Sequence, residues 1–146
     1  MVRRRVCAIL ACAAATLPAA ATPVPAAADP LQAFLLTSSP DSFADLQAHV
    51  GAVGVVYPTY FECAVPGGTL VGAPSPEVDA YAATHGLAEM PRFSCQVGAV
   101  VHRLLTQPAL RARTLAQLAA LAADPAYAGL NLDLENDGAA DRPALS

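Results

Sequence analysis

The chain has 146 residues, 55% of them apolar, and a formal net charge of −4, which fits one ordinary domain. No run of basic residues follows the first five, so the chain lacks the basic face that a nucleic-acid binder needs. Its positive mean hydropathy comes largely from alanine and from the N-terminal stretch, and does not argue for a membrane domain.

Residues 1–5, MVRRR, are basic, residues 6–17 form a short apolar run, and small residues with prolines continue to Ala28. A basic start, a short apolar stretch and an Ala-x-Ala ending predict a secretory signal peptide over residues 1–28. Cleavage after Ala21 also satisfies the small-residue rule, and Ala28 is favoured. A transmembrane anchor is the competing reading, but the run falls short of the ~20 residues that span a bilayer. A lipoprotein attachment at Cys12 would leave very little apolar run before it. Loss of Arg3, Arg4 and Arg5 takes the net charge from −4 to −7. The mature segment, residues 29–146, is expected to be secreted or extracytoplasmic, with no stable membrane span. It keeps two cysteines, Cys63 and Cys95. An even pair in an exported chain predicts a disulfide, with two buried free thiols as the alternative.

The first element, residues 31–36, is a buried strand ended by Thr37-Ser38-Ser39-Pro40. Ser39 or Asp41 caps a helix over residues 41–49, where Phe43, Leu46 and Val50 fall at helical spacing, and Gly51 ends it. Residues 53–59 are β-branched and read as the second strand, closing near Pro58. Residues 60–74 read as a Gly- and Pro-rich loop. Ser75 caps a second helix with Pro76 at its first position, and Gly86 stops it. Residues 89–96 are the third strand, and residues 97–106 fit either helix or loop. A third helix runs from Pro108 to about Ala123, with Leu115, Leu118, Ala119 and Ala122 expected on one apolar face. Residues 129–135, GLNLDLE, are the fourth strand. Strand–helix alternation predicts a parallel sheet with right-handed crossovers, covered by helices.

The fourth strand carries the chemistry. Side chains alternate along a strand, so Leu130, Leu132 and Leu134 point one way while Asn131, Asp133 and Glu135 point the other. Burying unpaired carboxylates costs several kcal/mol each, so packing does not explain the row. Asp133 and Glu135 lie two residues apart, and adjacent carboxylates can share a proton, which suits acid–base work. The competing view is an exposed edge strand with its polar face in water.

The segment 127–135, YAGLNLDLE, resembles the fourth-strand motif of family 18 glycoside hydrolases, Asp-x-x-Asp-x-Asp-x-Glu. In register, Glu135 matches the catalytic acid and Asp133 its aspartate partner. Asn131 replaces the middle aspartate, as in the branch resembling spore-cortex hydrolases, and Ala128 replaces the first. MPRFSCQ stands where that family has its third strand, and residues 103–113 resemble its third helix. The resemblance implies an α/β fold, the N-terminal half of a (β/α)8 TIM barrel with four parallel strands and three to four helices, cut short after the start of a fourth helix. It further implies hydrolysis of β-1,4-linked N-acetylated glycans, chitin or peptidoglycan, in which the substrate's own N-acetyl group attacks its anomeric carbon. Glu135 would protonate the leaving oxygen, Asp133 would orient the acetamido group, and Asn131 would support Asp133 through a hydrogen bond. No metal or cofactor is implied. The tyrosine that the family places on a later strand is absent, so this piece alone is expected to be inactive.

Tyr57 and Tyr60, at the C-terminal end of the second strand, are candidate sugar-stacking residues, with core packing as the alternative for Tyr57. Arg92 is a candidate partner for a carboxylate on the inner face. Glu62 reads as solvated, and His49, His85 and His102 read as surface residues without a triad partner. Two other functions compete. One is a non-catalytic sugar binder of the same fold, against which the intact Asp133/Glu135 pair argues. The other is a flavodoxin-like open sheet, which lacks a Gly-rich phosphate loop after the first strand.

Overall fold

The computed structural model describes residues 29–145, so the predicted signal peptide lies outside the described residues. The first strand, β1 (Leu31–Leu35), leads into helix α1 (Pro40–His49) with Pro40 in its first turn. Ser39 occupies the N-cap without a side-chain bond; the nearby hydroxyl of Ser42 accepts from the Leu36 N–H instead. The helix gives way to a 3-10 turn, Val50–Ala52, which holds Gly51 inside it rather than after a helix end. β2 (Val53–Pro58) follows, parallel to β1.

The stretch expected to be loop contains a hairpin: β3 (Phe61–Cys63) and β4 (Leu70–Gly72) pair antiparallel. Three-residue strands separated by Gly and Pro leave no periodic signal, which is why residues 60–74 read as irregular. Helix α2 (Pro76–His85) starts at the Ser75 cap, whose hydroxyl accepts from the Val78 N–H, and ends at Gly86 in the left-handed conformation. The third strand is split into β5 (Ala88–Glu89) and β6 (Arg92–Cys95) around Met90-Pro91. The ambiguous stretch is helix α3 (Gly98–Thr106), and α4 (Pro108–Ala122) follows directly. The last strand, β7 (Asn131–Leu134), is followed by a 3-10 turn, Ala139–Asp141, and a short helix, α5 (Arg142–Leu145).

Two ladders result, in the orders β1-β2-β5 and β4-β3-β6-β7. Every pairing except the β3–β4 hairpin is parallel. The break between them falls where proline removes an N–H from the chain, at Pro58 and at Pro91. Single backbone bonds carry the pairing across the gap: Thr59 N–H to Leu35 O (3.0 Å), Met90 N–H to Val56 O (2.9 Å) and Asn131 N–H to Pro91 O (3.0 Å). β7 lies at the outer edge of its ladder.

The core lies between the sheets and the helices. Leu35, Val56, Phe61, Phe93 and Cys95 meet Leu46, Val78, Ala82, Val101, Leu104 and Leu118 there. Cys63 and Cys95 form a disulfide within this layer, with Cα atoms 5.1 Å apart, inside the usual range for a bridge. On α4 the buried positions are Thr114 and Leu118, while Leu115 is 56% exposed. The apolar face is therefore rotated from the one expected, because the helix packs through the Thr114 edge, whose hydroxyl donates to Gly68 O (3.4 Å). Among the described residues, no helix is long and apolar enough to cross a membrane.

Candidate active site

Parallel register sets Arg92 beside Asn131, Phe93 beside Leu132, Ser94 beside Asp133 and Cys95 beside Leu134. On the other side of β6, Glu62 stands beside Ser94. Phe93 and Cys95 are buried on the helix side. Alternation therefore puts Glu62, Arg92, Ser94, Asn131 and Asp133 on the opposite face, which is open at Glu62 and Asp133 and closed over Ser94, whose Oγ is buried without a partner. Glu135 and Gln96 continue that face past the strand ends, held by the Glu135 N–H to Cys95 O bond (2.9 Å). On the other side of β7, Leu132 and Leu134 border an apolar groove of about 210 Å³ with Phe93, Leu104 and Leu118. Leu132 is 57% exposed there, so the leucine face is covered only in part.

The carboxylates share one cation. Arg92 donates through Nη2 to Asp133 Oδ2, and the same nitrogen lies 3.4 Å from Glu135 Oε1. Gln96 Nε2 donates to that Glu135 oxygen at 3.1 Å. The Arg92, Asp133 and Glu135 side chains are 16%, 29% and 44% exposed, so the trio rises from floor to rim. Asn136, with φ 59°, closes the rim by donating from Nδ2 to Gln96 O (2.7 Å). Among the described residues, Asp133 is met by Arg92, and no hydrogen bond links it to the Asn131 side chain.

Tyr57 reaches the same face lower down. Its hydroxyl donates to Gln32 Oε1 (2.5 Å), and its ring lies 5.1 Å from the exposed ring of Phe34. Tyr60 does not. It is 5% exposed and turns toward α2, where its hydroxyl donates to Asp79 Oδ1 (2.7 Å). Strand alternation places residues three apart on opposite faces, and this contact fixes Tyr60 in the wall.

That wall holds a group the sequence did not single out. Glu89 stands beside Val56 in register, so it points into the helix-side core, and it is 5% exposed. Its Oε1 has no partner. Burial foremost, then the hydrogen bond and charge of Asp79, push the Glu89 carboxyl up to about 7, against a smaller opposing pull from the Tyr60 hydroxyl. The Tyr60 hydroxyl is raised strongly, by burial first. Tyr127, just before β7, is pushed up to about 12 by burial and by Asp79 and Glu89. An acidic residue at a strand start gives no sequence signal of burial.

His102, expected to lack an acid, has one: its Nδ1 lies 2.6 Å from Asp141 Oδ1. Asp141 also accepts from the Gly138 N–H at 3.0 Å. That bond, then His102, holds its carboxyl below the ordinary range. The contact ties α3 to the turn after β7. His49 pairs with Asp45 (3.2 Å), and His85 packs on Tyr81 (4.2 Å). Among the described residues, no three His, Cys, Asp or Glu side chains gather as a metal site.

The rim depends on a close approach. A Cβ at Gly98 would stand 2.6 Å from Asn136 O and 3.4 Å from Asn136 Cβ. A backbone carbonyl cannot rotate away as a flexible side chain can. Gly98→Ala is expected to cost about 1–3 kcal/mol and to displace the segment that follows Glu135. Urea unfolding checks this, and a loss below about 0.5 kcal/mol would show that the rim has room to give.

Three solved structures resemble the chain. A chitinase from Chromobacterium violaceum is 17% identical with a TM-score of 0.63, covering 76% of this chain and 37% of its own length. A class V chitinase from Pseudomonas fluorescens is 26% identical with a TM-score of 0.67, covering 80% of this chain and 38% of its own. The spore cortex-lytic enzyme SleL from Bacillus cereus is 15% identical with a TM-score of 0.65, covering 78% and 29%. The chain thus spans less than two fifths of each of these structures. No family model and no curated protein matches it. The described residues have a chitinase-like α/β fold built on parallel strands.

Proposed function

We propose that residues 29–146 are the N-terminal half of a family 18-type (β/α)8 barrel, exported behind the leader of residues 1–28, that hydrolyses β-1,4-linked N-acetylated glycans, chitin or peptidoglycan. The observation that carries this reading is the pairing of Asp133 and Glu135 on the open face of β7. The likeness to chitinases and to a cortex-lytic enzyme supports it. The internal disulfide suits an oxidising compartment.

In this reading Glu135 is the acid. Gln96 and Arg92 engage its Oε1, which leaves Oε2 to carry the proton for the leaving oxygen. Asp133, lower on the same face, orients the acetamido group whose oxygen attacks the anomeric carbon. Tyr57 and Phe34 offer adjacent ring faces for a sugar. Asn131 lines the floor, and Tyr60 takes no part. Half a barrel leaves this face uncovered, so we expect the 146-residue chain to bind substrate fragments and to turn them over poorly, since an open site admits water.

Calorimetric titration of the chain with tri-N-acetylchitotriose tests the proposal. Binding is expected, weakened at least about tenfold by Asp133→Ala, while Glu135→Gln stays within about threefold. Absence of binding, or binding indifferent to Asp133→Ala, would sink the reading. Robust hydrolysis by the chain alone would overturn the requirement for further strands.

A further inference from the structure

We propose that Arg92 is a positioning residue: its guanidinium holds Asp133 in a single orientation and keeps it apart from Glu135. The inference rests on the reading of Asp133 and Glu135 given above, and assigns a role that the motif on β7 does not contain.

Two carboxylates two residues apart on one strand face, with Cα atoms ~6.6 Å apart, repel when both are charged and pair through a shared proton when one is not. Repulsion leaves Asp133 loose, and a shared proton ties it to Glu135; neither holds it toward the floor. Asn131 below it is neutral and makes no hydrogen bond to it among the described residues, so β7 supplies no counter-charge. The neighbouring strand does. Arg92 stands beside Asn131 in register, one pleat below Asp133, and its side chain rises to place Nη2 on Asp133 Oδ2 with Glu135 Oε1 at 3.4 Å. The closer contact is to Asp133, so the cation draws it toward the floor and away from the acid.

Two further observations fit a side chain held for this contact. Arg92 Nε is buried without a partner, a cost that an arginine serving only as packing would avoid by turning to a carbonyl or to water. The guanidinium carbon also lies 5.8 Å from the Phe34 ring centroid, within reach of a cation–π contact that helps to hold the guanidinium. Because a single nitrogen serves both carboxylates, a point charge can stand in for it, which an Arg fork making two parallel bonds would not allow.

The test is a double-mutant cycle read by affinity for tri-N-acetylchitotriose, with a thermal melt of each variant as the folding control. Arg92→Gln is expected to weaken binding about tenfold, and Arg92→Lys to stay within about threefold of the parent chain. If Arg92 acts through Asp133, the Arg92→Gln/Asp133→Asn pair binds no more than about twofold worse than Asp133→Asn alone. Arg92→Gln with parental affinity, or losses that multiply in the double variant, would overturn the positioning role and leave the glycosidase reading intact. A parent chain that does not bind the sugar removes that reading, and this inference with it.

Discussion

Replacing both Cys63 and Cys95 by alanine is expected to lower stability by about 3–4 kcal/mol and the melting temperature by roughly 10–15 °C. The bridge spans 32 residues of sequence, and closing a loop of that length removes much of the freedom of the unfolded chain. It also lies in the core, with Cys95 fully buried, so alanine leaves a small void at each end. The position gives the loss a direction. The bridge ties β3 to β6, the strand that carries Arg92 and Ser94 beside the Asp133 row. Thermal melts of the alanine pair, and of the unmodified chain with and without reductant, separate the cross-link from the voids. A shift below about 3 °C on verified reduction would show that the packing of β3 against β6 holds without it.

The second large effect is a fall in stability between pH 4.5 and about 7, set by Glu89. Its folded carboxyl is raised above its ordinary value, so between those limits the native state binds more protons than the unfolded one. Stability is then fully present below pH 4.5 and is lost as pH rises through about 7. The groups facing Glu89 are Asp79 from α2 and the Tyr60 hydroxyl, with Tyr127 nearby. Neither tyrosine ionises in this window, so the Glu89 carboxyl is the group of this wall that changes charge there. The expected change is on the order of 1–3 kcal/mol, after allowing for relaxation of the wall. Asp141 works in the opposite sense: its lowered carboxyl adds stability that is lost only as pH falls below the ordinary range, so the two windows do not overlap. Urea unfolding across pH 4–8 should show the decline in the parent chain and a flatter profile in Glu89→Gln. An unchanged slope in that variant would assign the dependence to other groups.

The elements legible in the sequence were those whose signals are local. Pro76 behind Ser75, Gly86 after α2, and the alternation of leucine with polar residues along β7 each act within a few residues, and each stands where expected. What escaped depends on distance or on a broken period. The β3–β4 hairpin is too short to show alternation. Tyr60 is taken out of the open face by Asp79, 19 residues further along the chain on α2. Arg92 does meet a carboxylate, as expected, but that it reaches Asp133 across 41 residues depends on the pairing of two strands, and Glu89 owes its burial to α2 rather than to its own neighbours in sequence. The row could be read as a row; which cation met it could not be weighed against other partners until β6 and β7 stood side by side.

The place of β7 at the outer edge of its ladder has a further consequence. Among the described residues, one side of that strand offers unpaired amides and carbonyls, with exposed Leu132 on the adjoining face. Such an edge invites a strand from another molecule, the first step of aggregation. Asp133 and Glu135 put two carboxylates on the face beside that edge, offset by the single Arg92 cation they share, and a second copy approaching in register would bring like charges together. Among the described residues, the carboxylates beside this edge thus also act against pairing with a second copy, and neutral substitutions at either position are expected to strip the edge of part of that defence.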